Sequence, residues 1–84
     1  MLDCHRVFKP AGIPLAGMQI IEIEPDEFEA VRICDAENLS QIQAAERMRI
    51  SRGTVQRLLE NGRFKIITAL LEKKAIRIKT GKGE

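Results

Sequence analysis

Hydrophobic and polar positions along the chain switch between a period of two and a period near 3.6, and the switches mark its elements. Ile21 to Glu24 alternates apolar with acidic, the pattern of a strand buried on one face. Pro25 ends that strand and opens a helix. Proline suits the first helical position, and Asp26 and Glu27 put negative charge on the positive end of the helix dipole. Phe28, Val31 and Ile33 are the expected inner face, Glu29 and Arg32 lie outside or at its edge, and Asn38 is the expected stop. Ser40-Gln41-Ile42-Gln43 reads as a capping box for a second helix to about Met48, with Ile42, Ala45 and Met48 as its inward stripe. Ser51 can cap a third helix reaching Lys73, whose inner face holds Val55, Leu58, Leu59, Ile66, Ala69 and Leu70. Ala75 to Lys79 alternates again.

Ahead of the first strand, Pro10, Gly12, Pro14 and Gly17 break any helix, so residues 1–19 read as an extended arm whose Val7, Phe8, Ile13 and Leu15 cover part of the body. Residues 20–80 form the domain proper, and 81–84, with Gly81 and Gly83, a flexible basic tail. Antiparallel pairing of strand 20–24 with strand 75–79 would put Ile21 and Ile23 on one face with Ile76 and Ile78, and would set Glu22 and Glu24 against Arg77 and Lys79. A lone ribbon is marginal in water, so it must lie on the helices or meet a second chain. The expected fold class is mainly α: three helices in a helix-turn-helix arrangement with a short two-stranded β ribbon from the N- and C-terminal segments.

Composition narrows the function. With 84 residues, 44% hydrophobic and 31% charged, the chain suits one small globular domain. No apolar run approaches the ~20 residues of a bilayer-spanning helix, and the N-terminus lacks the cationic and apolar regions of a secretion signal. Two cysteines, Cys4 and Cys34, could make one bridge at most, which fits a reducing cytoplasm. Cys4, His5 and Cys34 have no CxxC spacing, and neither a catalytic set nor a glycine-rich phosphate loop is present. The expectation is a protein that is not an enzyme and takes no metal or cofactor. Net charge divides unevenly: three basic against eight acidic residues in 1–38 leave −5, and eleven against four in 39–84 leave +7. A basic half of this kind suits a polyanionic partner.

Residues 41–60 have the layout of a helix-turn-helix: a short helix, a turn at Arg49 and Ile50, and a helix opening on small polar residues. Ala45 must be small where the helices cross, Ile50 plugs the angle between them, and Val55 and Leu58 pack back on Ile42, Ala45 and Met48. The turn favours a residue that tolerates positive φ, which costs a non-glycine residue such as Arg49 about 1–2 kcal/mol. Ser51, Arg52, Gly53, Thr54, Gln56 and Arg57 would then open a recognition helix, supplying arginine for guanine, glutamine for adenine, and hydroxyls for phosphate. Ser40 and Gln41 suit a phosphate at the start of the second helix, and Arg47 and Arg63 suit backbone contacts. Further along, Phe64, Ile67 and Leu71 make an apolar stripe opposite the core, to be covered by the arm or, as a homodimer interface, by a second copy. Gly62, on the inner face, points to a close helix approach.

These residues resemble a known family. The runs Glu24-Pro-Asp-Glu-Phe-Glu-Ala-Val-Arg, Leu39-Ser-Gln-Ile-Gln-Ala-Ala-Glu-Arg-Met, Ser51-Arg-Gly-Thr-Val-Gln-Arg-Leu-Leu-Glu and Lys74-Ala-Ile-Arg-Ile, with the Phe8-Lys-Pro-Ala-Gly-Ile-Pro-Leu arm, are similar to the small prokaryotic family called domain of unknown function 134. That family looks like the DNA-binding region four of sigma-seventy factors. The resemblance spans about residues 6–81 and implies a winged or extended helix-turn-helix regulator, with Ser51, Arg52 and Thr54 at matching positions of the recognition helix. The chain departs from the family pattern at Arg49, where glycine is usual, at Gly53, where a longer polar residue is usual, and in its shorter segment before Arg6. The expected function is a cytoplasmic, sequence-specific DNA-binding transcriptional regulator, a homodimer that docks the third helix, about 51–73, in the major groove of double-stranded DNA. The alternative is the same scaffold used as a protein-interaction module, with RNA polymerase or another protein as partner, and a third is a small thiol or metal protein using Cys4, His5 and Cys34.

Overall fold

The computed structural model describes residues 5–79, His5 by its backbone alone. Its elements are β1 (His5–Phe8), β2 (Ile20–Ile23), α1 (Pro25–Val31), a π-helical turn (Arg32–Ala36), α2 (Gln41–Met48), α3 (Arg52–Glu72) and β3 (Ala75–Lys79). The fold is mainly α with a small sheet. Cys4 and the tail 81–84 lie outside the described residues. No helix among the described residues is long and apolar enough to cross a membrane.

The helix boundaries follow local chemistry. Pro25 stands at the first position of α1, and Glu24 and Glu27 exchange side-chain and backbone hydrogen bonds in a capping box. The last turn of this helical stretch widens, with Glu37 N donating to Arg32 O at 3.1 Å, and Asn38 turns the chain at φ 62°. Ser40 Oγ accepts from Gln43 N at 3.0 Å while Ser40 N donates to Gln43 Oε1 at 2.9 Å, so the expected capping box of α2 is formed. Ser51 caps α3 by accepting from Thr54 N at 3.1 Å, and Lys73, at φ 58°, ends it.

Strand count and direction differ from expectation. The segment read as an arm contributes a third strand, and the sheet order is β1-β3-β2. β2 and β3 run parallel, not antiparallel, with Ile21 opposite Ile76, Glu22 opposite Arg77 and Ile23 opposite Ile78. The reason lies in the crossover. A parallel pair needs a long connection, and α3, about 31 Å for 21 residues, carries the chain back past the start of β2, where Ala75 N donates to Gln19 O at 3.0 Å. The antiparallel place beside β3 goes to β1, with Arg6 opposite Ile78 and Phe8 opposite Ile76. Register alternation still gathers the isoleucines on one face, and Glu22 with Arg77, and Glu24 with Lys79 at 3.4 Å, still pair on the other.

The core comprises Ala30, Ile33, Ala44, Ala45, Val55, Leu58 and Leu59, edged by Val31, Cys34, Leu39, Met48 and Ile50. Burying a side chain such as Leu59 contributes about 1.5–3 kcal/mol. Three apolar expectations are corrected. Ile42 is 59% exposed because α2 turns Ala44, Ala45 and Met48 inward, leaving Ile42 about 100° off that stripe. Leu70 is 67% exposed because α3 turns its neighbour Ala69, 1% exposed, inward instead. Val7, Phe8, Ile13 and Leu15 all remain exposed instead of covering the body; Phe8 borders a shallow groove with Leu70 and Ile76. Gly62 is buried where α1 crosses α3, and a Cβ there would stand 2.8 Å from Val31 Cγ2 and 3.3 Å from Glu27 O.

Candidate nucleic-acid interface

The helix-turn-helix is assembled as its residue types dictate. Arg49 adopts the left-handed conformation at φ 60°, ψ 45°, and its N–H and that of Ile50 both donate to Ala45 O, closing α2 and turning the chain. Ile50 then packs on the core beside Met48. α3 starts at once, with Val55, Leu58 and Leu59 turned inward. With Val55 facing the core, Gly53 and Arg57 fall near the opposite side at 100° per residue, and Arg52 and Gln56 lie on the flanks. Arg52, Gly53, Gln56 and Arg57 are all exposed, and a Cβ on Gly53 would meet nothing within 4 Å.

The hydroxyls have a structural use. Ser40 and Ser51 cap their helices, and Thr54 Oγ1 lies 2.8 Å from Ser51 Oγ, so these side chains hold the N-termini of α2 and α3 in shape. No acidic residue sits in the first turn of either helix, in contrast to α1 with Asp26 and Glu27, so both ends stay electropositive. Gln41 is half-buried at the start of α2. Among the described residues Gln56 makes only a long 3.4 Å contact to Glu60 Oε2.

Ion pairing separates the cations into two groups. Arg63 grips Asp35 with two bonds, Nε to Oδ2 at 2.9 Å and Nη2 to Oδ1 at 2.7 Å, and its guanidinium holds the Asp35 carboxyl below its ordinary value. Arg47 lies 2.7 Å from Glu37, whose carboxyl it and Arg32 together hold low. Arg63 and Arg47, both read as backbone contacts, therefore serve internal ion pairs. Lys65, Lys74, Arg77 and Lys79 are likewise paired with carboxylates. Arg6, Lys9, Arg49, Arg52, Arg57 and Lys73 form no ion pair among the described residues. Three of these six, Arg49, Arg52 and Arg57, surround the turn and first turns of α3. From sequence alone Arg49 is only an awkward turn residue; its place three residues before Arg52 is the signal that it belongs with the exposed cations.

Other chemistry finds no assembly. Cys34 is half-buried, and burial, then the nearby Asp35, pushes its thiol up from the ordinary value. Among the described residues no group of three His, Cys, Asp or Glu side chains could hold a metal ion.

Comparison with known proteins gives the family. A family model described as protein of unknown function DUF134 matches residues 3–84. A UPF0251 protein of Vibrio cholerae is 41% identical over 80 residues, covering 92% of this chain and 82% of the relative. A UPF0251 protein of Shewanella baltica is 47% identical over 78 residues, covering 93% and 80%, and one of Dehalococcoides mccartyi 47% over 74 residues, covering 88% and 63%. No solved structure matches the chain. Because the family model spans β1 through β3 and these relatives share more than two-fifths of their residues across it, the chain belongs to the DUF134 family.

Proposed function

We propose that the protein is a DNA-binding transcriptional regulator that docks the first half of α3 in the major groove. The observation that carries this reading is the exposed face bearing Arg49, Arg52, Gly53, Gln56 and Arg57, whose arginines lack carboxylate partners among the described residues, where Arg47, Arg63, Lys65, Lys74, Arg77 and Lys79 each have one. Leaving guanidinium groups unpaired beside two electropositive helix ends suits a phosphate backbone and base edges. In this reading Arg52, Gln56 and Arg57 face the bases, Arg49 meets the backbone, and Ser40, Gln41, Ser51 and Thr54 fix the helix ends that approach phosphates. The resemblance to sigma-seventy region four supports the same mode of docking.

Fluorescence anisotropy on a pool of random duplex DNA across a salt series tests the reading. Each neutralised phosphate adds about −0.9 to the slope of log affinity against log salt, so a slope of roughly −3 or steeper is expected. Absence of binding at low salt, or affinity untouched in the Arg52→Ala/Arg57→Ala protein, would overturn it.

A further inference from the structure

Where β1 runs out beside the last turns of α3, Phe8, Leu70 and Ile76 line a groove of about 230 Å³. Phe8 and Leu70 are 58% and 67% exposed, so apolar surface faces solvent across the hollow. The buried Ala69 also lines it, and its single methyl group leaves room that a larger side chain would fill. At about 30 Å³ for each water-sized unit, the space takes roughly eight non-hydrogen atoms. That is too little for a helix, about 10 Å across, or for a drug-sized ligand.

We propose that this groove binds a small carboxylate with an apolar body, of the size of a single-ring aromatic acid. Charge selects the ligand. Every charged residue lining the groove is a lysine: Lys9 just past β1, and Lys73 and Lys74 just past α3. Lys74 pairs with Glu72 at 2.8 Å, whereas Lys9 and Lys73 have no carboxylate partner among the described residues. Lys9 Nζ donates to Ile13 O at 2.7 Å, which holds the side chain in place but leaves its charge uncompensated and further N–H donors on the ammonium. The C-terminal end of α3 carries about half a negative charge, but Lys73 N and Lys74 N both donate to Ala69 O, and two whole ammonium charges outweigh that remainder. Apolar walls alone would suit a neutral ligand, and lysines alone a phosphate, whose second charge costs more to bring against apolar surface. Together they suit an apolar body ending in one carboxylate. The site does not depend on DNA binding, because Arg49 and Arg52 lie at the opposite end of α3.

Titration of isotope-labelled protein with benzoate, followed in two-dimensional amide spectra, tests the site. Saturable shifts are expected at Phe8, Leu70, Lys73 and Ile76, with a Kd on the order of 1 mM for so small a ligand. Benzyl alcohol, the same ring without the charge, should bind at least about fivefold more weakly, and benzylammonium should not bind. Lys73→Glu should weaken benzoate binding about tenfold and Leu70→Ser about fivefold, both with unchanged far-UV circular dichroism because the replaced side chains are exposed. Ile67→Ser, on a separate exposed position of α3, should leave the affinity within about twofold of wild type. Equal affinity for benzoate and benzyl alcohol, or an unaltered Lys73→Glu protein, would remove the lysines from the site and the carboxylate with them. Shifts confined to Phe64, Ile67 and Leu71, or none that saturate by about 20 mM, would overturn the groove itself.

Discussion

Lys65 reaches from the middle of α3 to place its ammonium 2.7 Å from Oε1 of Glu27 and 2.9 Å from the Glu22 carbonyl oxygen. One side chain thereby ties α3 to the first turn of α1 and to β2. Glu27 is 6% exposed, and the same Oε1 accepts from Glu24 N at 3.0 Å, so its carboxylate sits at the junction of three elements. Removing one member of a buried pair is far more costly than the pair's own net contribution, because the remaining charge is left without a partner.

The Lys65→Met protein should accordingly lose about 3 kcal/mol of stability, read as a fall in the urea midpoint at unchanged slope. Adding Glu27→Gln should recover part of that loss, since the stranded charge goes with it. A Lys65→Met midpoint equal to wild type would show that the link contributes nothing.

Glycine-to-alanine changes at two positions of α3 should have opposite signs. At Gly53 the methyl group meets open space, and relief of the glycine penalty should stabilise the protein by about 0.5–1 kcal/mol. At Gly62 the methyl group meets the stiff Val31 side chain and the Glu27 carbonyl, and an overpacking cost of about 1–3 kcal/mol should exceed the helix gain. Thermal unfolding of the two variants, run side by side, checks the pair of signs.

Arg49→Gly should separate stability from binding. Its left-handed backbone costs a non-glycine residue about 1–2 kcal/mol, so the variant should unfold up to about 1 kcal/mol later once the looser unfolded chain is counted. On the reading proposed for α3, it should also bind DNA more weakly, with a salt slope shallower by about 0.9. Denaturant melts and anisotropy on the same preparation measure both. Equal DNA affinity with raised stability would remove Arg49 from the interface.

Acid should loosen the contacts of the π-helical turn with α2 and α3. Arg63 holds the Asp35 carboxyl below its ordinary 3.8, and Arg47 and Arg32 hold Glu37 below its ordinary 4.5. A carboxylate with a lowered folded value adds stability in full above its ordinary value, and that stability disappears as pH falls through the lowered one. These groups are partly solvated, so the effect is modest. Stability followed downward from about pH 5 should fall less steeply in Arg63→Gln than in wild type. Parallel curves would show that the Arg63–Asp35 pair has no linkage to folding.

Local chemistry was legible in the sequence because its partners stand within four residues of one another. Pro25 at the head of α1, the capping box at Ser40, the Ser51 cap and the turn at Arg49 each depend on backbone groups one turn away, and the helix-turn-helix frame follows from them. The isoleucine alternation in β2 and β3 likewise specified which residues share a face. It carried no information about strand direction, since a period of two reads the same either way, and it overlooked β1, whose pairing with β3 spans nearly the whole chain.

Tertiary structure decided the remainder through contacts between residues far apart in sequence. Arg63 and Arg57 look alike along the chain, yet Asp35, 28 residues before Arg63, engages one and leaves the other without a carboxylate among the described residues. Ile42 and Leu70 stand at apolar spacings along their helices, but the fold turns Ala44 and Ala69 inward instead. Sequence by itself determined where each helix begins and which surface of α3 turns outward, because those depend on backbone hydrogen bonds and helical pitch. Only the fold determined which cations on that surface remain without carboxylates, because an ion pair is settled by proximity in space.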